Sequence, residues 1–161
     1  MRRRAIAALA AAMLLATTAC NSGSAVAPAD VDPTTIAYAA PLGVDFASMT
    51  KSATGLWEKD VATGTGPAAA DGDIVTVKYR GYLPDGTDFS TLDASRDAAS
   101  YTLGSRALIR GFSEGVVGMK AGGKRRLVIR PSLGYGINAI GIIPASSVLV
   151  FDVELISIGA P

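Results

Sequence analysis

The chain has no histidine and a single cysteine. Without histidine, a Ser-His-Asp or Cys-His triad is excluded, and a zinc site lacks its commonest nitrogen ligand. A lone cysteine cannot form an internal disulfide. Charge is nearly balanced, with 15 Lys and Arg against 14 Asp and Glu and a net charge of +1. The whole-molecule field therefore gives no reason to expect a nucleic acid or other polyanion as partner. The basic cluster Lys124-Arg125-Arg126 reads as a solvated turn leading into a strand. No internal repeat is found. Any chemistry must work without the usual general base and without a thiol pair.

What the chain does contain divides into three parts. A length of 161 residues suits one domain of common size with an appendage. The hydrophobic share of 49% is inflated by alanine and by the N-terminus, and the remainder supports one modest core. Residues 1–20, "MRRRAIAALAAAMLLATTAC", open on three arginines and continue as an uncharged apolar run from Ala5 to Ala16. That is the n-region and h-region of a secretory signal, and it is shorter than the roughly 18–20 residues a spanning helix needs. Cys20 follows small residues and resembles the end of a bacterial lipobox, which implies lipidation at Cys20 and attachment to a membrane by the lipid alone. Thr17 stands where that pattern favours an aliphatic residue. The alternative is a plain signal peptide cut after Ala27, although Pro28 disfavours it. Residues 21–42 are rich in Ala, Pro, Ser and Thr and read as a flexible tether. The folded domain is expected over 43–161.

Within that domain, Thr54 to Val61 reads as a first strand. Asp73 to Leu83 alternates, with Val75, Val77 and Tyr79 on one side and Thr76, Lys78 and Arg80 on the other. "PDG" is a turn, so Asp88-Phe89 should begin a returning strand. "RRLVIR" and "SVLVFDVELISI" are two more strands, the last nearly continuous in apolar residues and therefore central. One helix is expected in "SRALIRGFSEGVVGM", where Leu108, Phe112 and Val116 recur at intervals of four. Gly111 and Gly115 each cost about 1 kcal/mol relative to alanine, so packing must hold this helix. The reading is an α+β domain, an antiparallel sheet wrapped around one short helix.

"VTVKYRGYLPDGTDF", "LIRGFSEGVVGMKAGGKRRLVI", "GYG" and "GIIPASSVLVFDVEL" together resemble the FKBP-type peptidyl-prolyl isomerases over about residues 56–158. The lead-in from Leu42 to Gly66 is similar to that of secreted bacterial members. The resemblance implies a half-barrel of five to six antiparallel strands closed over a short helix, with an aromatic pocket for a prolyl residue. It carries Tyr79, Phe89, Leu108, Ile109, Tyr135, Ile143 and Phe151 onto the pocket, with Ile142 at the rim. Phe112 stands where many members have the tryptophan of the pocket floor. The Ile109 backbone N–H and the Tyr135 hydroxyl are implied to bond substrate carbonyls. Turning an Xaa-Pro amide makes and breaks no covalent bond, so neither histidine, metal nor cofactor is required. Each of these residues taken singly would read as core; only their joint match favours a site.

The chain also departs from the pattern. Ser90 replaces the usual aspartate of the pocket's polar corner, and that aspartate's arginine partner falls near Ser95 or Arg96. Asp88 is expected to face away from the site. Ala99 falls where a second wall aromatic is common, and "IPASS" replaces the Ile-Pro-Pro continuation. The floor is retained while the polar corner is altered. The leading expectation is an isomerase that assists folding of exported proteins outside the cytoplasmic membrane, acting as a monomer on proline-containing peptides and unfolded chains. Rapamycin-like macrolides are possible ligands of the same pocket. A peptide-binding or chaperone module with little catalysis is the alternative, and an envelope protein with an unused pocket is a third. The loop "GYGINAIGIIP", Gly134 to Pro144, has no charge and carries Ile137, Ile140, Ile142 and Ile143. Exposed isoleucines there fit a surface covered by apolar residues that flank the proline of a client.

Overall fold

The computed structural model describes residues 30–90 and 98–159. The signal segment, Cys20 and the first part of the expected tether lie outside the described residues. Among the described residues eight strands form: β1 Thr50–Lys51, β2 Trp57–Ala62, β3 Thr65–Ala68, β4 Ile74–Tyr82, β5 Ala99–Thr102, β6 Lys120–Ala121, β7 Lys124–Ile129 and β8 Leu149–Gly159. Six of them make an antiparallel sheet in the order β1-β2-β7-β8-β4-β5, while β3 and β6 pair separately. One short helix, α1, spans Arg110–Val116. This is the expected α+β half-barrel.

The apolar run of β8 lies between β7 and β4, with a paired strand on each side over Val150–Glu154. Leu149, Phe151, Val153 and Leu155 join the main core with Leu127 and Ile129 of β7 and Val75 and Val77 of β4. A register shift between Thr76 and Val77 bends β4 against β8. The helix packs against β7 and β8, and its two glycines explain how. A Cβ on Gly111 would stand 2.5 Å from Ile129 Cγ2, and one on Gly115 2.5 Å from both Leu127 methyls. Close approach to the sheet compensates the lost propensity. The helix is shorter than its sequence periodicity suggests. Ile109 is extended at φ −65° and ψ 145° and forms the N-cap without a side-chain bond, so Leu108 and Ile109 precede the first turn.

The opposite face of the sheet exposes Val128 and Val150, and an apolar sheet face must be covered. Residues 31–49 cover it. Leu42 and Met49 are buried on Val128, Val148 and Val150, with Val31, Ile36, Tyr38, Val44 and Phe46 around them. Phe46 packs edge-on against Trp57 and Tyr38, with ring centroids 4.9 and 5.7 Å apart. Tyr38 donates to the Pro33 carbonyl at 2.9 Å. Burial, and then the charge of Asp32, pushes the Tyr38 phenol above its ordinary pKa. Asp30 accepts from the Ser132 amide at 3.0 Å and pairs with Arg130. Residues 30–42 are thus a strap docked on the domain, not a free tether. Their prolines and small polar residues make short 3-10 turns at Pro33–Thr35 and Ala40–Leu42, and their few large side chains fill one face.

Two further local expectations are corrected. Lys124-Arg125-Arg126 lies within β7 and not in a turn. Arg125 has a side chain only 10% exposed and pairs with Glu58 and Asp60 while donating to the Gly115 carbonyl at 3.0 Å, beneath α1. Arg126 pairs with Asp152 through two nitrogens, and those bonds raise its pKa further above neutrality. The strand that returns beside β4 begins at Ala99, not at Asp88. Asp88 makes only an isolated bridge to Tyr82, because its carboxylate bonds the Ser90 amide and turns the chain. Among the described residues no helix is long and apolar enough to cross a membrane.

Candidate functional site

Gly81 of β4 sits where any side chain would collide with the Phe89 ring, whose Cε2 is 2.4 Å from an ideal Cβ. That bare backbone lets the chain after the Pro84-Asp85-Gly86 turn fold back and lay Phe89 over the sheet, with the Phe89 N–H donating to the Gly81 carbonyl at 3.0 Å. Phe89 then meets Phe151 edge-on at 5.4 Å. Phe151 also meets Phe112 of α1 at 5.4 Å and Tyr79 of β4 at 5.9 Å, and Tyr79 meets Phe112 at 5.3 Å. Three rings from three other segments therefore converge on Phe151. Edge-on pairs at this spacing are the favoured aromatic geometry.

These rings form the base of a cleft of about 640 Å³. One wall is the turn at 106–108 and the extended Ile109 that lead into α1. The other comes from the 134–143 loop, which is well bonded. Gly136 donates to Pro131 at 2.8 Å, Ser146 to Gly136 at 2.7 Å, and Ile140 and Ile143 exchange bonds at 2.9 Å. Gly136 and Gly141 adopt left-handed φ values of 60° and 55°, which a glycine takes without strain. The two-residue tip, Gly141-Ile142, turns Ile142 outward and Ile143 into the core.

The structure brings Tyr79, Phe89, Ser90, Leu108, Ile109, Phe112, Tyr135, Ile143 and Phe151 together in this one cleft. It does not bring Ile142 there; that side chain is exposed at the tip. The Ile109 N–H has no backbone bond among the described residues. Ser90 is buried, and its hydroxyl donates to Asp88 Oδ1 at 2.6 Å while its amide donates to the same oxygen at 2.9 Å. Asp88 therefore faces Ser90, contrary to expectation, and Arg80 stands 3.8 Å from its other oxygen. The polar corner is a carboxylate from two residues upstream, joined to a serine.

Sequence reasoning missed Tyr101, Arg106 and Arg110 as lining residues. Tyr101 was legible in principle. It pairs with Val75 in β5, so it must share the inward face of that residue. Ala99 pairs with Val77 and is not part of the lining. A second depression of about 560 Å³ on the other face of the sheet is lined by Lys78, Arg80, Lys124, Arg126, Asp152 and Glu154 among others. Within it Lys124 pairs with Glu154 and Arg126 with Asp152 between β7 and β8, Arg80 stands 3.8 Å from Asp88, and it has no aromatic cluster. No group of side chains suited to a metal occurs among the described residues.

The cleft can bind a compact apolar ring against aromatic edges and offer an amide and hydroxyls at its border. Residues 66–156 match the family model described as FKBP-type peptidyl-prolyl cis-trans isomerase. The chain is 42% identical over 105 residues to an FK506-binding protein of Neisseria meningitidis serogroup B, covering 65% of this chain and 96% of that protein. The crystal structure of FkpA from Escherichia coli superposes with a TM-score of 0.63 at 40% identity, covering 70% of this chain and 52% of FkpA, so the chain spans about half of that protein. The structure of a peptidyl-prolyl cis-trans isomerase from Pseudomonas syringae pv. tomato gives a TM-score of 0.63 at 34% identity, covering 70% and 81% of the two chains.

Proposed function

Since the chain belongs to the FKBP-type peptidyl-prolyl cis-trans isomerase family, we propose that its aromatic cleft turns the Xaa-Pro bonds of exported proteins and so assists their folding. The observation that carries this reading is the convergence of three rings on Phe151 at the base of one cleft. The barrier to be lowered is the resonance of a planar amide, about 18–20 kcal/mol. Left to itself, the bond turns in about 10–100 s. A catalyst need only bind the twisted amide better than either planar form. The planar amide is the more dipolar, so it loses more when moved from water to an apolar surface. Rings around Phe151 grip the pyrrolidine, while the residue before it rotates. The Ile109 N–H and the Tyr135 hydroxyl hold the flanking carbonyls, which fixes the ends of the rotating segment. Every one of these roles is filled without histidine, metal or cofactor.

The signal-like N-terminus supports action outside the cytoplasmic membrane, with Cys20 as the lipid attachment point. Labelling with a fatty-acid analogue in wild type and Cys20→Ser separates an anchored from a released form. Proline-containing segments of unfolded exported chains are the substrates, and macrolides of the rapamycin type compete for the same rings. The test of the activity is a protease-free isomerisation assay on an Xaa-Pro peptide with the full chain. Acceleration that Tyr135→Phe reduces is expected; a rate equal to buffer at micromolar protein sinks the reading.

One observation favours a second reading, a peptide-binding module with weak catalysis. The Ser90 hydroxyl is committed to Asp88, so it has little to give a substrate. Ser90→Asp discriminates the two. A steep gain from near-zero activity identifies the natural protein as a binder, whereas a loss through crowding of two carboxylates fits an enzyme whose polar corner is already complete.

A further inference from the structure

Two charged side chains line the cleft among the described residues, Arg106 and Arg110, and both are cations. They are not equivalent. Arg110 Nε donates to Glu114 Oε1 at 2.6 Å, one turn along α1, and the other oxygen of Glu114 accepts from Thr54 at 2.7 Å. The charge of Arg110 is thus matched locally. Arg106 is exposed and has no ion pair among the described residues. It stands at the border between the aromatic cleft and a shallower depression next to it, which Asp71 and Glu114 line. Its neighbours on the cleft side are Ala107, Leu108 and Ile109 on its own segment and Ile140 and Ile143 on the other wall. At the polar corner the Asp88 carboxylate is already engaged by the Ser90 amide and hydroxyl and stands 3.8 Å from Arg80.

A cation beside an apolar cleft is in a setting of lowered dielectric once a peptide covers it. We propose that Arg106 is a specificity-determining residue, which selects prolyl segments carrying a carboxylate within a few residues of the proline. This rests on the reading of the cleft as a prolyl-peptide site. The apolar isoleucine wall takes aliphatic side chains flanking the proline, and Arg106 takes an acidic one on the other wall. The chain would then discriminate between clients of equal hydrophobicity by charge, with acidic segments favoured over neutral and basic ones.

The test uses the full chain and peptides that differ only by Glu, Gln or Lys two residues before the Xaa-Pro pair, with a second set varied two residues after it. Both kcat/KM and equilibrium binding by fluorescence anisotropy are measured. In at least one set the order Glu over Gln over Lys is expected, with about two- to five-fold between Glu and Gln, the range of one partly exposed ion pair. The effect resides in KM and shrinks between 20 mM and about 500 mM salt as screening sets in. Arg106→Gln brings the Glu-to-Gln ratio towards one, Arg106→Glu inverts it, and Arg110→Gln changes it less than Arg106→Gln does. Equal values for the three peptides in both sets overturn the proposal, as does a Glu preference that survives in Arg106→Gln. Lack of turnover on every peptide counts against the isomerase reading alone, because the anisotropy titrations still read the charge preference.

Discussion

Replacing Phe151 by leucine separates a catalytic surface from a mere core. The side chain is 4% exposed and touches three rings, at 5.4, 5.4 and 5.9 Å between centroids. A hydrophobic exchange that keeps most of the volume costs under about 1.5 kcal/mol. Each lost ring contact, two edge-on and one tilted, adds about 0.5–1.5 kcal/mol. The three pairs share one ring and do not add independently, so the sum falls at about 2–4 kcal/mol. A domain of this size has about 5–15 kcal/mol to lose, and the melting temperature should fall by about 8–16 °C. The variant therefore stays folded at 10 °C, where uncatalysed isomerisation takes minutes and assays are straightforward. Thermal unfolding by circular dichroism gives the first quantity, and peptide isomerisation at 10 °C gives the second. Loss of the ring that the proline packs on should lower kcat/KM at least about tenfold, equivalent to about 1.4 kcal/mol of transition-state stabilisation. A melting point that drops as expected while kcat/KM stays within twofold of wild type would refute the reasoning and leave Phe151 as a core residue only.

Gly115→Ala should lower the urea midpoint despite alanine's better helix propensity, because a Cβ 2.5 Å from both Leu127 methyls overpacks the helix–sheet contact. Overpacking of about 1–3 kcal/mol exceeds the propensity gain of about 1 kcal/mol; a stabilised variant would contradict this close approach. The Tyr38 phenol has a folded pKa raised by burial, so its contribution is complete below the unfolded value of about 10 and is lost as pH climbs above that. Trp57 fluorescence, which senses the strap through Phe46, should change in this alkaline window in wild type and change less in Tyr38→Phe. Replacing Ile137 and Ile140 together by serine should weaken binding of apolar prolyl peptides without altering the melting point, since the two are 64% and 49% exposed; unchanged affinity would rule out their contact with the client.

Much of the architecture was legible because it follows from periodicity. The alternation of β4 and the unbroken apolar run of β8 fix which faces are buried, and the paired glycines of α1 announce a helix that survives by packing. The site was less legible residue by residue. Phe89, Phe112 and Phe151 each look like core, and they are core; what makes them a site is convergence from separate segments, which single-residue reasoning cannot supply. Family resemblance supplied it. Asp88 departs from the side that an extended strand would give it, because its carboxylate bonds the Ser90 amide and turns the chain. The strap is hard to read because its composition resembles a linker, and only Val128 and Val150 on the sheet give it something to pack on. Arg106 escaped notice because a lone arginine in a loop carries no signal until the cleft beside it exists.

The central claim is that this aromatic cleft turns prolyl bonds. Two-dimensional exchange spectroscopy on an Xaa-Pro peptide, with substoichiometric full-length protein, measures the cis–trans rate directly, and resonance shifts on labelled protein locate the peptide. The account predicts exchange well above the uncatalysed rate, with shifts centred on Tyr79, Ile109, Tyr135 and Phe151. Uncatalysed exchange with those resonances unmoved would contradict it.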